Sequence, residues 1–117
     1  MVLLVQVSIN NVPGIFILDT GASMVTVTKS FAVKSHIAVN PENEISFQTA
    51  NGLTKGILAT ADSVQAGNAF STRIPISVME DHQLGSADDV VGLLGMSFLS
   101  KFDYAVRGET IELNNRF

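Results

Sequence analysis

Cysteine is absent from this 117-residue chain, so disulfides and thiolate chemistry are excluded and the redox compartment cannot be read. Histidine occurs only at His36 and His82, without the His-x-x-x-His or Cys/His spacing that zinc requires. Charge is scarce: 15% of residues are charged and the net charge is −4. Lys and Arg form no cluster, which removes electrostatic support for a nucleic-acid or anionic-membrane role. Met1–Val7 is apolar but far shorter than the roughly 20 residues of a membrane span. It also lacks the basic flank of a signal peptide, and it reads as a strand. No metal, no cofactor and no membrane segment within this chain are expected. The compartment stays open, as does a longer membrane-anchored or precursor parent.

Apolar residues, by contrast, make up 46% of the chain. With so little charge, that proportion suggests that part of the surface is covered by a partner. The length suits one domain over residues 1–117, which buries roughly two thirds of its unfolded surface and needs no staples. No long stretch has helical period. Short β-rich runs separated by turn residues predict an all-β sandwich or barrel.

The runs are Leu3–Ile9, Ile15–Leu18, Met24–Thr28, Ile45–Thr49, Leu53–Ala61, Ser63–Phe70 (with its turn), Ile74–Met79 and Val90–Gly95. Asn10–Gly14 reads as a turn, because Asn and Gly tolerate positive φ and Pro presets φ. Pro75 places its strand at an edge or a bulge. Phe31–Lys34 is expected to form a helical turn capped by Ser30, and Met96–Phe102 a short helix. Glu80–Asp89 is an acidic loop. A closing hairpin joins Asp103–Val106 to Thr110–Leu113 through Arg107-Gly108-Glu109, and Asp62 and Asp103 read as turn residues.

The candidate chemistry centres on Asp19-Thr20-Gly21, delivered by the apolar run Ile15-Phe16-Ile17-Leu18. Hydrolysing a peptide bond without a metal or covalent intermediate needs a base for water and an acid for the carbonyl oxygen and leaving amine. Two adjacent carboxylates supply both, because they share one proton and titrate as a unit. The apolar strand supplies a low-dielectric floor. Thr20 can hydrogen-bond to a partner loop, and Gly21 lets backbone approach the carboxylates. The motif occurs once, so a second carboxylate has to come from elsewhere. By itself the tripeptide arises by chance in roughly one chain of this length in fifty, and a plain turn is the bland reading. Its company is more specific. Ala22-Ser23 follows it, a Thr49-Ala50-Asn51-Gly52 hairpin lies mid-chain, and Leu93-Leu94-Gly95-Met96-Ser97-Phe98-Leu99 lies near the end. The other carboxylates read as solvated loop charge: Asp88 with Asp89, and Glu80 and Asp81 beside His82.

On Leu18–Ser23, Thr49–Gly52 and Leu93–Leu99, the chain resembles the retropepsin-like aspartic proteases from about Val5 to Leu113. The resemblance implies a single-lobe acid-protease barrel with one short C-terminal helix, and a homodimer acting on peptide or protein substrates. It implies catalytic Asp19, Thr20 and Gly21, with one Asp19 from each subunit. Substrate contacts would come from Ala22, Ser23, Phe47, Ala50, Asn51 and Gly52, the flap spanning roughly residues 45–58. An apolar-Gly pair beneath the loop maps to Val91-Gly92 or Leu94-Gly95, the second preferred because the helix follows it. Ala22 lacks the hydroxyl of two-lobed relatives, which points to a less acidic working range. Ser23 and Met24 replace the acidic residues that hold substrate backbone in retroviral enzymes, and the flap has no Tyr. The alternatives are an inactive retropepsin-fold peptide-binding or dimerisation module and an unrelated small β-barrel.

Overall fold

The computed structural model describes residues 2–50, 52–84, 89–108 and 110–115. Met1, Asn51, Asp88 and Glu109 therefore lie outside the described residues, as do the rest of the 85–88 stretch of the acidic loop and residues 116–117. Among the described residues, nine strands carry the fold: β1 (Leu4–Ile9), β2 (Val12–Leu18), β3 (Val25–Thr28), β4 (Glu44–Thr49), β5 (Gly52–Ala66), β6 (Ala69–Met79), β7 (Val90–Leu94), β8 (Phe102–Arg107) and β9 (Thr110–Asn115). Two short helices, α1 (Lys29–Lys34) and α2 (Met96–Leu99), and a 3-10 turn at Asp81–Leu84 complete it.

Hydrogen bonding runs in the order β1-β2-β7-β3-β6-β5-β4, and a further β1–β5 pairing closes six of these strands into a mixed barrel. That seam is short, Ser8 opposite Gln65 and Ile9 opposite Val64. β2–β7 and β3–β6 are parallel; β3–β7 is antiparallel. β4 stands outside the ring as a hairpin on the first part of β5, from Glu44 opposite Ile57 to Thr49 opposite Gly52. The barrel fills with β-branched and aromatic side chains, which suit a pleated, closely packed interior. Ile9, Phe16, Val25, Val27, Val64, Ile74, Ile76 and Leu94 are fully buried, as are Phe98 and Leu99 of α2. Phe16 meets Phe31 edge-on at 5.8 Å, so α1 is pinned to the barrel through one aromatic contact.

Several sequence expectations are corrected. The first turn is Asn10-Asn11 alone, with φ of 51° and 68°, so Val12, Pro13 and Gly14 already belong to β2. α1 is capped by Thr28, whose hydroxyl accepts from the Phe31 amide at 3.2 Å, and not by Ser30. β5 runs unbroken for 15 residues through Asp62. The Leu53–Ala61 and Ser63 runs are thus one strand, and what fails is the turn at Asp62, which its residue type suggested. Asp103 likewise lies within a strand, at the start of β8. β6 begins at Ala69 rather than Ile74 and is central, between β3 and β5. Pro75 is tolerated because pairing with β3 starts only at Ile76. α2 ends at Leu99, and Phe102 opens β8.

Candidate active site

β2 runs out at Leu18, and the next residues fold into a loop held almost wholly by backbone. The Asp19 amide donates to the Leu94 carbonyl at 3.1 Å, which joins the loop to the end of β7. The Ala22 amide donates to the Asp19 carbonyl at 3.1 Å, and the Gly21 amide to Asp19 Oδ1 at 3.0 Å. The carboxylate is thus oriented by its own turn, as Asp side chains favour. Beneath, the Met96 amide donates to the Ala22 carbonyl at 2.9 Å. Gly95 makes this approach possible: a Cβ there would lie 2.2 Å from the Met24 oxygen and 2.8 Å from the Ala22 oxygen. Gly92 has a comparable fit, but against the Thr26 carbonyl and Phe16. Of the two apolar-Gly pairs, Leu94-Gly95 therefore touches the loop directly.

Ser97 secures the loop's far end. Its hydroxyl accepts from the Val25 amide at 2.8 Å and donates to the Pro75 carbonyl at 2.8 Å, linking α2 with β3 and β6. Sequence reading missed this role, because the partners are 72 and 22 residues distant.

Asp19 is partly exposed and opens on a cleft of about 490 Å³ walled by Ile17, Leu18, Thr49, Ala50, Leu84 and others. Among the described lining residues it is the one titratable side chain. Among the described residues, no three His, Asp or Glu side chains gather as metal ligands. Thr20, Gly21 and Ser23 are exposed, whereas Ala22 is buried. Ala50 lines the cleft and lies above Gly21. Gly52 (φ 104°) opens the return strand opposite Thr49, whose hydroxyl donates to its carbonyl at 2.9 Å. Phe47 is 4% exposed, packed beside Gly56, and is not among the lining residues.

The remaining acidic residues sit elsewhere. Asp89 is exposed in a turn before β7. Asp81 accepts from both the amide and the hydroxyl of Ser30, and Glu80 pairs with Lys29 at 3.2 Å. The Ser30 hydroxyl first, then its amide and Lys29, hold the Asp81 carboxyl below the usual carboxylate range. These contacts tie the 3-10 turn to α1. The same turn presents Gln83 and Leu84 to the Asp19 cleft.

Comparison with known proteins bears on the family and the fold. Residues 5–101 match the family model described as "gag-polyprotein putative aspartyl protease". An uncharacterized protein of Rickettsia prowazekii is 33% identical over 99 residues, covering 84% of this chain and 40% of the relative. This chain thus spans well under half of that protein's length. Among solved structures, a retropepsin-like aspartic protease from Rickettsia conorii is similar with a TM-score of 0.65 at 30% identity, covering 96% of this chain and 80% of that one. The retroviral protease-like domain of Ddi1 from Leishmania major shares the fold, with a TM-score of 0.56 at 18% identity over 98% of this chain and 86% of the other.

Proposed function

We propose, on the premise that this chain belongs to the gag-polyprotein aspartyl protease family of retropepsin-like proteins, that it is a homodimeric aspartic endopeptidase. The observation that carries this reading is the solitary Asp19, held by its own turn on the wall of a largely apolar cleft beneath the β4–β5 hairpin. One such cleft is half of a two-carboxylate site, and a second copy of the same chain supplies the other half most simply. Catalytic roles fall to Asp19, Thr20 and Gly21, and the substrate is an extended peptide segment lying under the hairpin. Of the two Asp19 carboxyls, the ionised one takes a proton from water as the water oxygen attacks the scissile carbonyl carbon. The protonated one gives its proton to the carbonyl oxygen. Collapse of the resulting diol breaks the C–N bond, and the amine leaves with a proton from the pair. Thr20, exposed beside Asp19, is suited to hydrogen-bond the partner's loop.

Cleavage of an unfolded protein or apolar peptide by wild type and by Asp19→Asn tests this. Asp19→Asn is expected to lose turnover by at least a hundredfold, consistent with removal of an acid–base group. Titrating it into a fixed amount of wild type should lower activity further by forming mixed dimers with one carboxylate. Equal cleavage by both proteins would rule the reading out. Peptide binding by both with cleavage by neither would favour the inactive peptide-binding module.

A further inference from the structure

Ser23 is the residue of the Asp19 loop that grips the hairpin rather than the barrel. Its amide donates to the Gln48 carbonyl at 2.9 Å, and its hydroxyl accepts from the Gln48 amide at 3.3 Å. β4 ends the sheet order, with β5 as its ladder partner among the described residues. Alternate N–H and C=O groups along its other edge point away from that ladder. Ser23 stands where a neighbouring strand would stand. It exchanges one donor and one acceptor with Gln48, its hydroxyl doing the work of a backbone carbonyl. Two residues on, Ala50 rests on Gly21: a Cβ at Gly21 would lie 3.5 Å from the Ala50 Cα, ordinary van der Waals contact. The hairpin is therefore down on the loop at two points, one of them directly beside Asp19.

An added strand needs about 4.8 Å on each side for its own hydrogen bonds. The 2.9 Å between Ser23 and Gln48 leaves no room for one. We propose that Ser23 is the latch of this hairpin. In the free protein it holds β4 over Asp19, and an extended peptide enters by displacing it and pairing with the Gln48 N–H and C=O in its place. The occupant's identity rests on the peptidase reading above, whereas the latch does not require turnover. The exchange is near balance, two backbone-type bonds lost and two gained, so the latch sets how readily the cleft opens without contributing to the chemistry. Ser23 is thus a positioning residue that acts through β4. It also accounts for a serine where a substrate-holding acidic side chain would otherwise be expected: the position is occupied with the protein's own strand.

Amide exchange followed by NMR in an Asp19→Asn background reads the latch without turnover. Ser23→Ala removes the acceptor and Ser23→Thr keeps a hydroxyl. The Gln48 amide is expected to exchange roughly three- to tenfold faster with Ala and within about twofold of the parent with Thr. Val27 in the barrel should hold its rate in both, which shows that the fold is intact. In protein with Asp19 restored, Ser23→Ala should lower KM severalfold with a smaller change in kcat, because the closed state no longer competes with the peptide. Equal Gln48 exchange in all three proteins, Thr exchanging as fast as Ala, or a KM unchanged or raised by Ser23→Ala overturns the latch. Undiminished cleavage by Asp19→Asn instead overturns the peptidase reading and leaves the exchange result standing.

Discussion

At the scale of single residues, the loop around Asp19 depends on side chains that are absent. Gly95 gives the backbone of Ala22 and Met24 a place to rest, and both threatened contacts are with main-chain carbonyls, which cannot rotate aside. Gly95→Ala should therefore destabilise the protein by about 1–3 kcal/mol, in the range of overpacked interiors. It should also displace Asp19, whose amide is bonded to the adjoining Leu94. Urea unfolding gives the first effect, and peptide cleavage measured well below the unfolding midpoint gives the second. This much was legible from the chain: an apolar strand leading into Asp19-Thr20-Gly21, and an apolar-Gly pair before a short helix. The hydroxyl roles were not. Ser23, Ser97 and Thr28 look like ordinary loop or strand residues, and what distinguishes them is a partner brought near only by folding. Ser30 has the right residue type for a cap, yet its hydroxyl is bonded to Asp81, 51 residues on.

At the scale of elements, α1 and the 3-10 turn are joined by polar contacts. Asp81 accepts from Ser30, Lys29 pairs with Glu80, and the Gln83 side chain accepts from the Glu80 amide at 2.9 Å. Because the Asp81 carboxyl is held below its ordinary range, its contribution to stability is present above the unfolded pKa, about 3.9. That contribution is lost as pH falls through the lower folded value. Asp81→Asn should melt below wild type at neutral pH, and the gap in Tm should close as pH drops below about 4. Melting curves across pH 2–7 measure it, and a gap that widens in acid would contradict the assignment. Elements were legible where β-branched residues run together, as in β3, and where Asn or Gly marks a turn. They were illegible where tertiary context overrode local preference. β5 continues through Asp62 because β6 pairs with it on either side, Ala61 with Ile74 and Ser63 with Thr72, and Pro75 sits in a central strand because the missing N–H falls where β3 has not yet begun to pair.

At the scale of the whole molecule, apolar side chains left open lie near both chain ends. Val2 and Leu4 are 65% and 54% exposed, and Val106 on β8 is 52% exposed. β8 and β9 form a two-stranded sheet of their own, a unit marginal in water without further packing. A second copy covering these surfaces would explain the low surface charge. If activity belongs to the dimer, cleavage per mole of chain should fall on dilution through the same concentration range in which sedimentation shows dissociation. Constant specific activity from a protein that sediments as a monomer would exclude a shared site. Barrel closure carries a different consequence, in time rather than space. β7 lies between β2 and β3, so the ring has a gap until residues 90–94 arrive, long after the strands they join. Contacts so distant in sequence are slow to form, because chain entropy is lost before they stabilise anything. A nascent chain on the ribosome therefore presents β2 and β3 as open edges until β7 emerges. The Asp19 loop, whose first hydrogen bond is to Leu94, is among the last parts of the barrel to take shape.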